Sequence, residues 1–440
     1  MKKVLILTYY FPPSGGSGVQ RWMYFSRYLK EFGIEPIVLT VDPEKASYKF
    51  LDKKFLEHVK DVKVYRTSTM EPLKFYSKMV GGDERAEIPQ GFAGESKPGL
   101  FRKISRFIRG NFFIPDARKG WNRYAYLKAK ELIKNEKINI VITNGTPHST
   151  HLVGLKLKKK NNIKWICDFR DPWTEAYYNK DMYRTSLAQK MDARLEHEVL
   201  SKADMITTIG PGMAKLLRSK LSVEEQAKVH FVYNGYDAEL FKGLEKEESE
   251  LFNILHLGIL SENQPILPFI HALRKVLDKL EGMQEKVNLL FVGKVSPSII
   301  NQVKMFLPDI TFTQIEYVPH HEAIQYMLNA NLLLNSLAET KESELLISGK
   351  LMEYVATGNP ILALGNPVGD AAKLLSSVDR AEVFSRDNES AIATFIEEIY
   401  SKWVKGDRYP KSGMEIYSRY ETTRIYAGLI EQLEKNDLKG

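Results

Sequence analysis

The sequence predicts an α/β protein with two doubly wound parallel sheets, each in its own domain. The chain has 440 residues, more than one typical domain holds. Short apolar segments alternate with segments of helical periodicity, which is typical of parallel sheets with helical crossovers. An acidic segment, Glu245 to Glu250, interrupts this alternation of strands and helices, which resumes after it. We therefore expect domains over residues 1–240 and 251–410, with a last segment, 411–440, that crosses back to the first domain.

The first domain opens with a strand, a glycine-rich loop, a helix and a second strand. The helix, Val19 to Phe32, has apolar residues at helical spacing and ends at Gly33. Residues 70–115 are punctuated by Gly and Pro and are expected to be irregular. The predicted strands are Lys2 to Tyr9, Pro36 to Val41, Val62 to Arg66, Ile138 to Thr143, Lys164 to Asp168, Met205 to Ile209 and Val229 to Val232. Further helices are predicted over residues 121–135, 150–160, 187–202 and 210–221.

The second domain repeats this order. Its predicted strands are Phe252 to Leu257, Asn288 to Val292, Thr311 to Ile315, Asn331 to Leu337, Ile361 to Leu364 and Ala381 to Phe384. Its helices are predicted over residues 264–280, 297–306, 321–328, 348–357 and 388–404, and a last helix runs from Arg419 to Lys435. We expect the two doubly wound, Rossmann-like domains to face each other across a cleft, with ligands bound at the carboxyl ends of the strands.

Composition excludes several classes of protein. The single cysteine, Cys167, rules out a disulfide framework and fits a reducing compartment. No apolar run approaches about 18 residues, so a membrane-spanning helix is not expected. His320, His321 and Glu322 do not make a metal site, because adjacent residues on one helix do not ligate together easily and no third ligand is near in sequence. We predict no metal and no resident cofactor.

The charge of the chain favours acidic partners. The net charge is +8 and the isoelectric point is near 9. Basic residues interleaved with aromatic ones are concentrated between Lys97 and Lys137. Two interpretations stay open for this region: solvated helix faces with aromatic residues in the core, or a patch that docks on an anionic membrane.

One helix start in the second domain points to a bound anion. Ser348 is placed to cap a helix, which ends at Gly358 before Pro360. Lys350 falls in the first turn, where the helix dipole disfavours a cation. An anion held by the free backbone N–H groups and by Lys350 removes this conflict. Glu353, one turn further on, is placed to accept hydrogen bonds from hydroxyls attached to that anion, as in a phosphate next to a sugar.

Two other segments contain glycines in patterns that partly match phosphate-binding motifs. Gly15, Gly16 and Gly18 form a loop after the first strand that can approach a ligand closely. It is a poor dinucleotide fingerprint, because Arg21 stands where the third glycine belongs, although Asp42 keeps that reading open. The Gly349–Lys350 pair does not belong to a P-loop, whose other required glycine and hydroxyl residue are missing.

Charged loops follow two strands of the first domain. In the loop 168–173, Asp168, Arg170 and Asp171 form either an ion pair that holds the loop or a surface for substrate hydroxyls. His148 follows another strand and is either a capped loop residue or a group that faces the cleft.

These segments resemble glycosyltransferases of family 4, which have the two-domain GT-B fold. The resemblance covers nearly the whole chain and rests on residues 11–21, 115–121, 146–149, 168–173, 234–237 and 349–360. It implies that the second domain binds a nucleotide-sugar through Gly258, Gly349, Lys350 and Glu353, and that Gly15 and Gly16 lie over this donor. It implies further that the first domain binds the acceptor, for which we name Arg21, Asp168, Arg170 and Asp171.

The chain departs from the family at two places. The family's second glutamate, separated by seven residues from the one matching Glu353, would fall at Leu345 and is missing; Glu342 or Glu344 is a shifted replacement. The basic pair that usually follows Gly258 is also missing, and Lys294 and Lys350 are the substitutes we name. A departing diphosphate needs about one such cation, because uncompensated charge there raises the barrier. The predicted catalytic residues are therefore His148, Lys294, Glu344 and Lys350.

The resemblance implies a retaining transfer from a UDP- or GDP-sugar to a glycan or lipid-linked acceptor, in the assembly of surface polysaccharide or lipopolysaccharide. The expected place is the cytoplasm, at the inner face of the plasma membrane if the basic region docks there, and nucleic acid is not an expected partner. Two alternatives stay open: a sugar-nucleotide epimerase on the same fold, and an inactive scaffold of a polysaccharide assembly complex.

Overall fold

A computed structural model describes residues 1–48, 50–71, 100–340, 343–407 and 415–435. These residues form two compact units, and the chain passes from the first to the second between Asn234 and Gly235. It returns to the first unit between Ser418 and Arg419. Each unit contains one parallel sheet, so the α/β class with two doubly wound sheets is confirmed.

The first unit has a seven-stranded sheet in the order β3-β2-β1-β4-β5-β6-β7. Its strands are β1 (Lys2–Leu7), β2 (Ile34–Val41), β3 (Lys63–Thr67), β4 (Ile140–Gly145), β5 (Lys164–Phe169), β6 (Met205–Thr208) and β7 (Val229–Phe231). Its α-helices up to the division are α1 (Ser17–Tyr28), α2 (Leu100–Phe112), α3 (Asn122–Glu136), α4 (Ser149–Lys160), α5 (Ser186–Lys202) and α6 (Pro211–Arg218). All the strand pairs are parallel, as the alternation of strands and helices requires.

The second unit has a six-stranded sheet in the order β10-β9-β8-β11-β12-β13. Its strands are β8 (Phe252–Leu257), β9 (Val287–Val292), β10 (Thr311–Ile315), β11 (Leu332–Ser336), β12 (Ile361–Leu364) and β13 (Ala381–Phe384). Its α-helices are α7 (Leu267–Lys279), α8 (Met283–Lys286), α9 (Pro297–Phe306), α10 (His320–Asn329), α11 (Gly349–Thr357), α12 (Asp370–Leu375) and α13 (Glu389–Val404). The last helix of the chain, α14 (Arg419–Lys435), belongs to the first unit.

Both faces of each sheet are buried, which explains why the strands read as continuous apolar runs. On β1, Val4 and Ile6 face one hydrophobic core of the first unit, and Leu5 and Leu7 face another. Helix α14 covers the first of these cores, where Tyr426 is fully buried.

The structure differs from the sequence-based prediction in local details. The segment 70–115 was predicted to be irregular, but it contains α2. Residues 72–99 of this segment lie outside the described residues. The helices α8 and α12 were not predicted, because both are too short for a periodic pattern. Ser348 precedes α11 as expected, but its side chain makes no capping hydrogen bond, so the predicted cap is wrong. Among the described helices, none has the length and apolar character needed to cross a bilayer.

Candidate functional site

The carboxyl ends of β8 and β11 mark the point where the strand order of the second sheet reverses. In doubly wound sheets, neighbouring strands whose crossovers lie on opposite faces leave a crevice at this point. The hydroxyl of Tyr354, on α11, lies between the two strand ends. It accepts a hydrogen bond from the Leu257 amide at 2.9 Å and donates one to the Leu334 carbonyl at 3.5 Å. Helix α11 therefore starts at the edge where this fold places ligands.

Lys350 brings a cation to this edge. It lies in the first turn of α11, which contains no acidic residue. Its Nζ lies 3.3 Å from Nε2 of His256 on β8, and no carboxylate among the described residues forms a salt bridge with it. Burial lowers the pKa of Lys350 to about 8, against the raising effect of the Glu353 carboxylate. The amine is therefore a cation that lacks a full counter-charge in this structure.

His256 fixes the direction of the lysine amine. It is fully buried, and its Nδ1 donates a hydrogen bond to the Leu334 carbonyl at 3.1 Å. Nε2 is then the unprotonated nitrogen, which accepts from Lys350. Burial, and next the nearby charge of Lys350, hold the pKa of His256 well below its usual value. A neutral imidazole thus orients the cation without competing with an anion.

Two glycines open the space beside this amine. Gly258 has a φ of +98°, and a Cβ built there would lie 3.3 Å from Nζ of Lys350. Gly293, after β9, approaches the Gly258 carbonyl so closely that a Cβ would lie 2.3 Å from that oxygen. Lys294 follows Gly293 with an exposed side chain, and its carbonyl accepts a hydrogen bond from the Leu260 amide at 2.9 Å. The structure therefore brings Gly258, Lys294 and Lys350 to one edge.

Glu353 lies one turn further along α11, half-buried. Its Oε1 is 2.9 Å from Nε2 of His320, at the start of α10. The side chain of Glu353 is 17% exposed and that of His320 is 52% exposed. His320, which we predicted not to bind a metal, is thus the partner of Glu353, the glutamate predicted to bind ribose.

The remaining predicted groups of the second unit are less well placed. Glu344 is exposed in a short 3-10 turn, Ser343–Leu345, that packs against α12. Glu342, the other proposed replacement for the family's missing glutamate, lies outside the described residues. Gly349 is exposed at the start of α11. On β11, the amide of Asn335 is fully buried, and neither of its polar atoms has a hydrogen-bond partner within the described chain.

The first unit has its own cluster at the carboxyl ends of β4 and β5. Oδ2 of Asp171 accepts hydrogen bonds from the Thr146 hydroxyl at 2.5 Å and from Nη2 of Arg170 at 2.8 Å. The Arg170 and Asp171 side chains are 26% and 40% exposed. A Cβ on Gly18 would lie 2.3 Å from Nη1 of Arg170, so the glycine leaves room for the guanidinium. The ion pair holds the loop and also reaches solvent. It is therefore compatible with both interpretations of the sequence, a structural ion pair and a surface for substrate hydroxyls.

His148 lies beneath this loop and is only 4% exposed. Its Nε2 donates a hydrogen bond to the Pro172 carbonyl at 3.2 Å, and its ring stacks on Trp173 at 4.9 Å. Its Nδ1 has no partner within the described chain. Burial lowers the pKa of His148, so the ring is neutral near pH 7. A catalytic contact through Nε2 would require the Pro172 carbonyl to move away.

Arg21 and Asp168, predicted to bind an acceptor, are in the interior instead. Their side chains are 2% and 0% exposed and form a bidentate pair with two contacts of 2.9 Å. Asp168 also accepts from the indole of Trp22 at 2.9 Å and from the hydroxyl of Thr207 at 2.8 Å. Because their polar atoms are satisfied within the protein, we assign both residues to a structural ion pair rather than to acceptor binding.

The glycine loop after β1 is anchored to the chain that follows β2. The Gly15 amide donates to the Phe50 carbonyl at 2.9 Å. Gly16 is exposed, has a φ of +90° and precedes α1. Their predicted role over a donor stays a prediction.

Sequence reasoning missed two positioning residues. His256 looked like an ordinary core position of β8. Asp116 is the other: its Oδ2 accepts from the Ser149 amide at 2.8 Å, so it caps α4 and holds the loop that carries His148. Asp116 belongs to the segment 115–121, whose physical role the sequence alone did not reveal. Within the described ranges, no group of three or more His, Cys, Asp or Glu residues is arranged to hold a metal ion.

Comparison with known proteins agrees with this picture of the fold. Residues 84–240 match the family model of Glycosyltransferase Family 4. No curated protein sequence gives a significant match.

Several solved structures are similar over almost the full chain. A glycosyltransferase from Rickettsia africae ESF-5 has a TM-score of 0.55 at 15% identity, with 99% of each chain covered. A sucrose-phosphate synthase from Thermosynechococcus elongatus has a TM-score of 0.57 at 14% identity, covering 99% of this chain and 100% of the other. The catalytic domain of starch synthase IV from Arabidopsis thaliana, bound to ADP and acarbose, has a TM-score of 0.56 at 11% identity, covering 100% and 99%. The chain therefore has the GT-B fold of two Rossmann-like domains.

Proposed function

We propose that this protein is a glycosyltransferase whose second unit binds a nucleotide-diphospho-sugar at the start of α11. The proposal rests on the position of Lys350, in the first turn of α11 and beside His256. A half-buried amine without a full counter-charge lies at a helix N-terminus and at the reversal point of the sheet. Each of these features favours an anion, and together they favour a diphosphate.

The neighbouring groups suit the rest of a nucleotide-sugar. Glu353 is close enough along α11 to accept hydrogen bonds from ribose hydroxyls while Lys350 contacts the diphosphate. Lys294 supplies a second cation at the same edge. Preorganised positive charge at the leaving phosphate is the contribution that a sugar transfer needs most from the protein.

The finer parts of the proposal rest on the resemblance to family 4. They are a retaining transfer, a UDP- or GDP-linked hexose, and a glycan or lipid-linked acceptor in surface polysaccharide or lipopolysaccharide assembly. In the first unit, Arg170 and Asp171 are the groups proposed to meet the acceptor, because both reach solvent. The family match over residues 84–240 supports this assignment of the first unit.

A thermal-shift screen of nucleoside diphosphates and nucleotide-sugars tests the proposal. A ligand at 100 times its dissociation constant stabilises a protein by about 2.7 kcal/mol, which is easily detected. We expect one nucleotide to stabilise the wild type and the Lys304→Ala control, whose lysine is exposed on α9. The Lys350→Ala variant should lose the shift. If no nucleotide stabilises the wild type, or if Lys350→Ala responds as the control does, the assignment is wrong.

Analysis of the reaction products distinguishes a transferase from an epimerase and from an inactive scaffold. A transferase consumes the donor only with an acceptor, apart from slow hydrolysis. An epimerase converts the donor alone, and an inactive scaffold leaves it unchanged in every mixture. The scaffold alternative is favoured by one observation, the absence of Arg and Lys from Gly258 to Gln264.

A further inference from the structure

A cavity of about 320 Å³ lies in the first unit, at the edge formed by the amino ends of the strands. Its lining comes from the end of α1, from the short 3-10 helix that follows α1, and from the chain that leads into β3. The amide of Lys2, the first residue of β1, donates to the Gly33 carbonyl at 3.2 Å, so this 3-10 helix ends beside the start of β1. The cavity is therefore at the opposite edge from the carboxyl ends, where this fold places its usual ligands.

Charged side chains form most of the lining. Three are cations, Arg27, Lys30 and Lys60, and two are carboxylates, Glu57 and Asp61. Within the part of the chain that the structure describes, none of these five side chains forms a salt bridge. Opposite charges thus share one cavity without direct pairing, and the excess of positive charge favours a bound anion.

Aromatic rings and a histidine hold Arg27 in place. Its Nη1 lies 2.9 Å from Nδ1 of His58, which accepts this hydrogen bond because a guanidinium can only donate. The guanidinium carbon lies 5.2 Å from the ring centre of Tyr28. The His58 ring is in turn 5.3 Å from the ring of Tyr24 and 6.4 Å from that of Phe55. A half-buried cation that is held before a ligand arrives reduces the entropic cost of binding.

Lys30 is also tied to the lining. Its Nζ donates to the backbone carbonyl of Asp61. Because this bond uses the backbone oxygen, the carboxylate of Asp61 keeps its capacity to accept hydrogen bonds. The two segments that line the cavity are therefore joined at two places, by Arg27 to His58 and by Lys30 to Asp61.

The size of the cavity and its mixture of charges indicate the class of ligand. A volume of about 320 Å³ lies in the range of pockets that hold small organic molecules. Arg27 and Lys30 offer the charged N–H donors that suit phosphate oxygens. Glu57 and Asp61 repel further anionic groups, but their carboxylates accept hydrogen bonds from hydroxyls. A molecule with one phosphate and several hydroxyls satisfies both sets of groups.

We propose that this cavity binds a sugar monophosphate, with the phosphate on Arg27 and Lys30 and the sugar hydroxyls on Glu57 and Asp61. The site belongs to the first unit and is independent of the donor site proposed at Lys350 in the second unit. Substitutions at the two places therefore test the two proposals separately.

Isothermal titration calorimetry of the full chain with glucose 1-phosphate tests the proposal. We expect saturable binding of this probe, about tenfold weaker binding of inorganic phosphate, and no binding of glucose. The double variant Arg27→Gln, Lys30→Gln should lower the affinity for glucose 1-phosphate at least tenfold. The matched control is Arg123→Gln, Lys130→Gln, which removes an exposed arginine and an exposed lysine from α3 and should bind as the wild type does.

A second variant tests the contacts to the sugar. Glu57→Gln with Asp61→Asn should reduce the preference for glucose 1-phosphate over inorganic phosphate about fivefold or more, because amides are weaker acceptors for hydroxyls than carboxylates are. Circular dichroism checks that every variant is folded. An unchanged preference would contradict the assignment of the sugar to these carboxylates.

The remaining outcomes decide whether the cavity is the site. The proposal is wrong if the wild type shows no saturable binding, or if Arg27→Gln, Lys30→Gln binds glucose 1-phosphate as the control does. It is also wrong if Lys350→Ala abolishes this binding, because the sugar phosphate would then occupy the second unit. We expect Lys350→Ala to bind glucose 1-phosphate as the wild type does.

Discussion

The half-buried amine of Lys350 predicts an unusual pH dependence of donor binding. Burial lowers its pKa to about 8 in the free protein. A bound diphosphate would raise that pKa again, so binding above pH 8 must take up a proton and the affinity must fall as the pH rises. For a pKa near 8, the protonated fraction of the amine is about 90% at pH 7 and about 10% at pH 9. The affinity for a nucleoside diphosphate should therefore fall about tenfold between these two values.

Isothermal titration calorimetry at pH 7 and pH 9 measures this change directly. The matched control is Lys350→Arg, whose guanidinium keeps its charge at both pH values, so that its affinity should not fall. The comparison also cancels any titration of the ligand itself, because both proteins bind the same nucleotide. A flat affinity in the wild type would refute the reasoning, and so would an equal decline in Lys350→Arg.

Three further substitutions test individual contacts. Glu353→Gln should weaken a nucleoside diphosphate about tenfold to a hundredfold in calorimetry, since hydrogen bonds to a charged group contribute about 1.5–3 kcal/mol. It should leave the 2′,3′-dideoxy analogue unaffected; equal losses for both ligands would disprove the ribose contact. Asp168→Asn should lower the free energy of unfolding by about 3–5 kcal/mol in urea titrations, because the Arg21 cation stays buried without its partner, and a change below about 1 kcal/mol would contradict the structural assignment. Gly258→Ala should weaken nucleotide binding more than Gly406→Ala, because both glycines have a positive φ but only a Cβ at Gly258 would approach Lys350; similar effects would show that backbone strain alone is responsible.

The sequence was most informative where a local pattern decides the structure. The positive φ of 72° at Gly358, the end of α11 there and the start of β12 after Pro360 all follow from short-range rules of helix termination. The apolar strands were found because parallel sheets bury both faces. The first-turn position of Lys350, and with it the candidate anion site, could be predicted because the limits of α11 follow from the same short-range rules of helix formation.

Long-range partners could not be predicted in this way. Arg21 and Asp168 are 147 residues apart, and each alone looks like a polar group available to a substrate. His256 and Lys350 are 94 residues apart, and a histidine in a strand gives no sign of which cation it orients. Such pairs follow from the strand order of the sheet, which brings chain-distant strand ends together. Helix α2 was missed because the Gly- and Pro-punctuated sequence around it predicts irregular structure.

The central claim is that the diphosphate of a nucleoside diphosphate or nucleotide-sugar binds at the start of α11. A crystal structure with the nucleotide that gives the largest thermal shift would test it most directly. The account predicts phosphate oxygens within hydrogen-bond distance of Nζ of Lys350 and ribose hydroxyls on the Glu353 carboxylate. A nucleotide bound at the carboxyl ends of β1 and β4 in the first unit, with Lys350 still bonded only to His256, would contradict it.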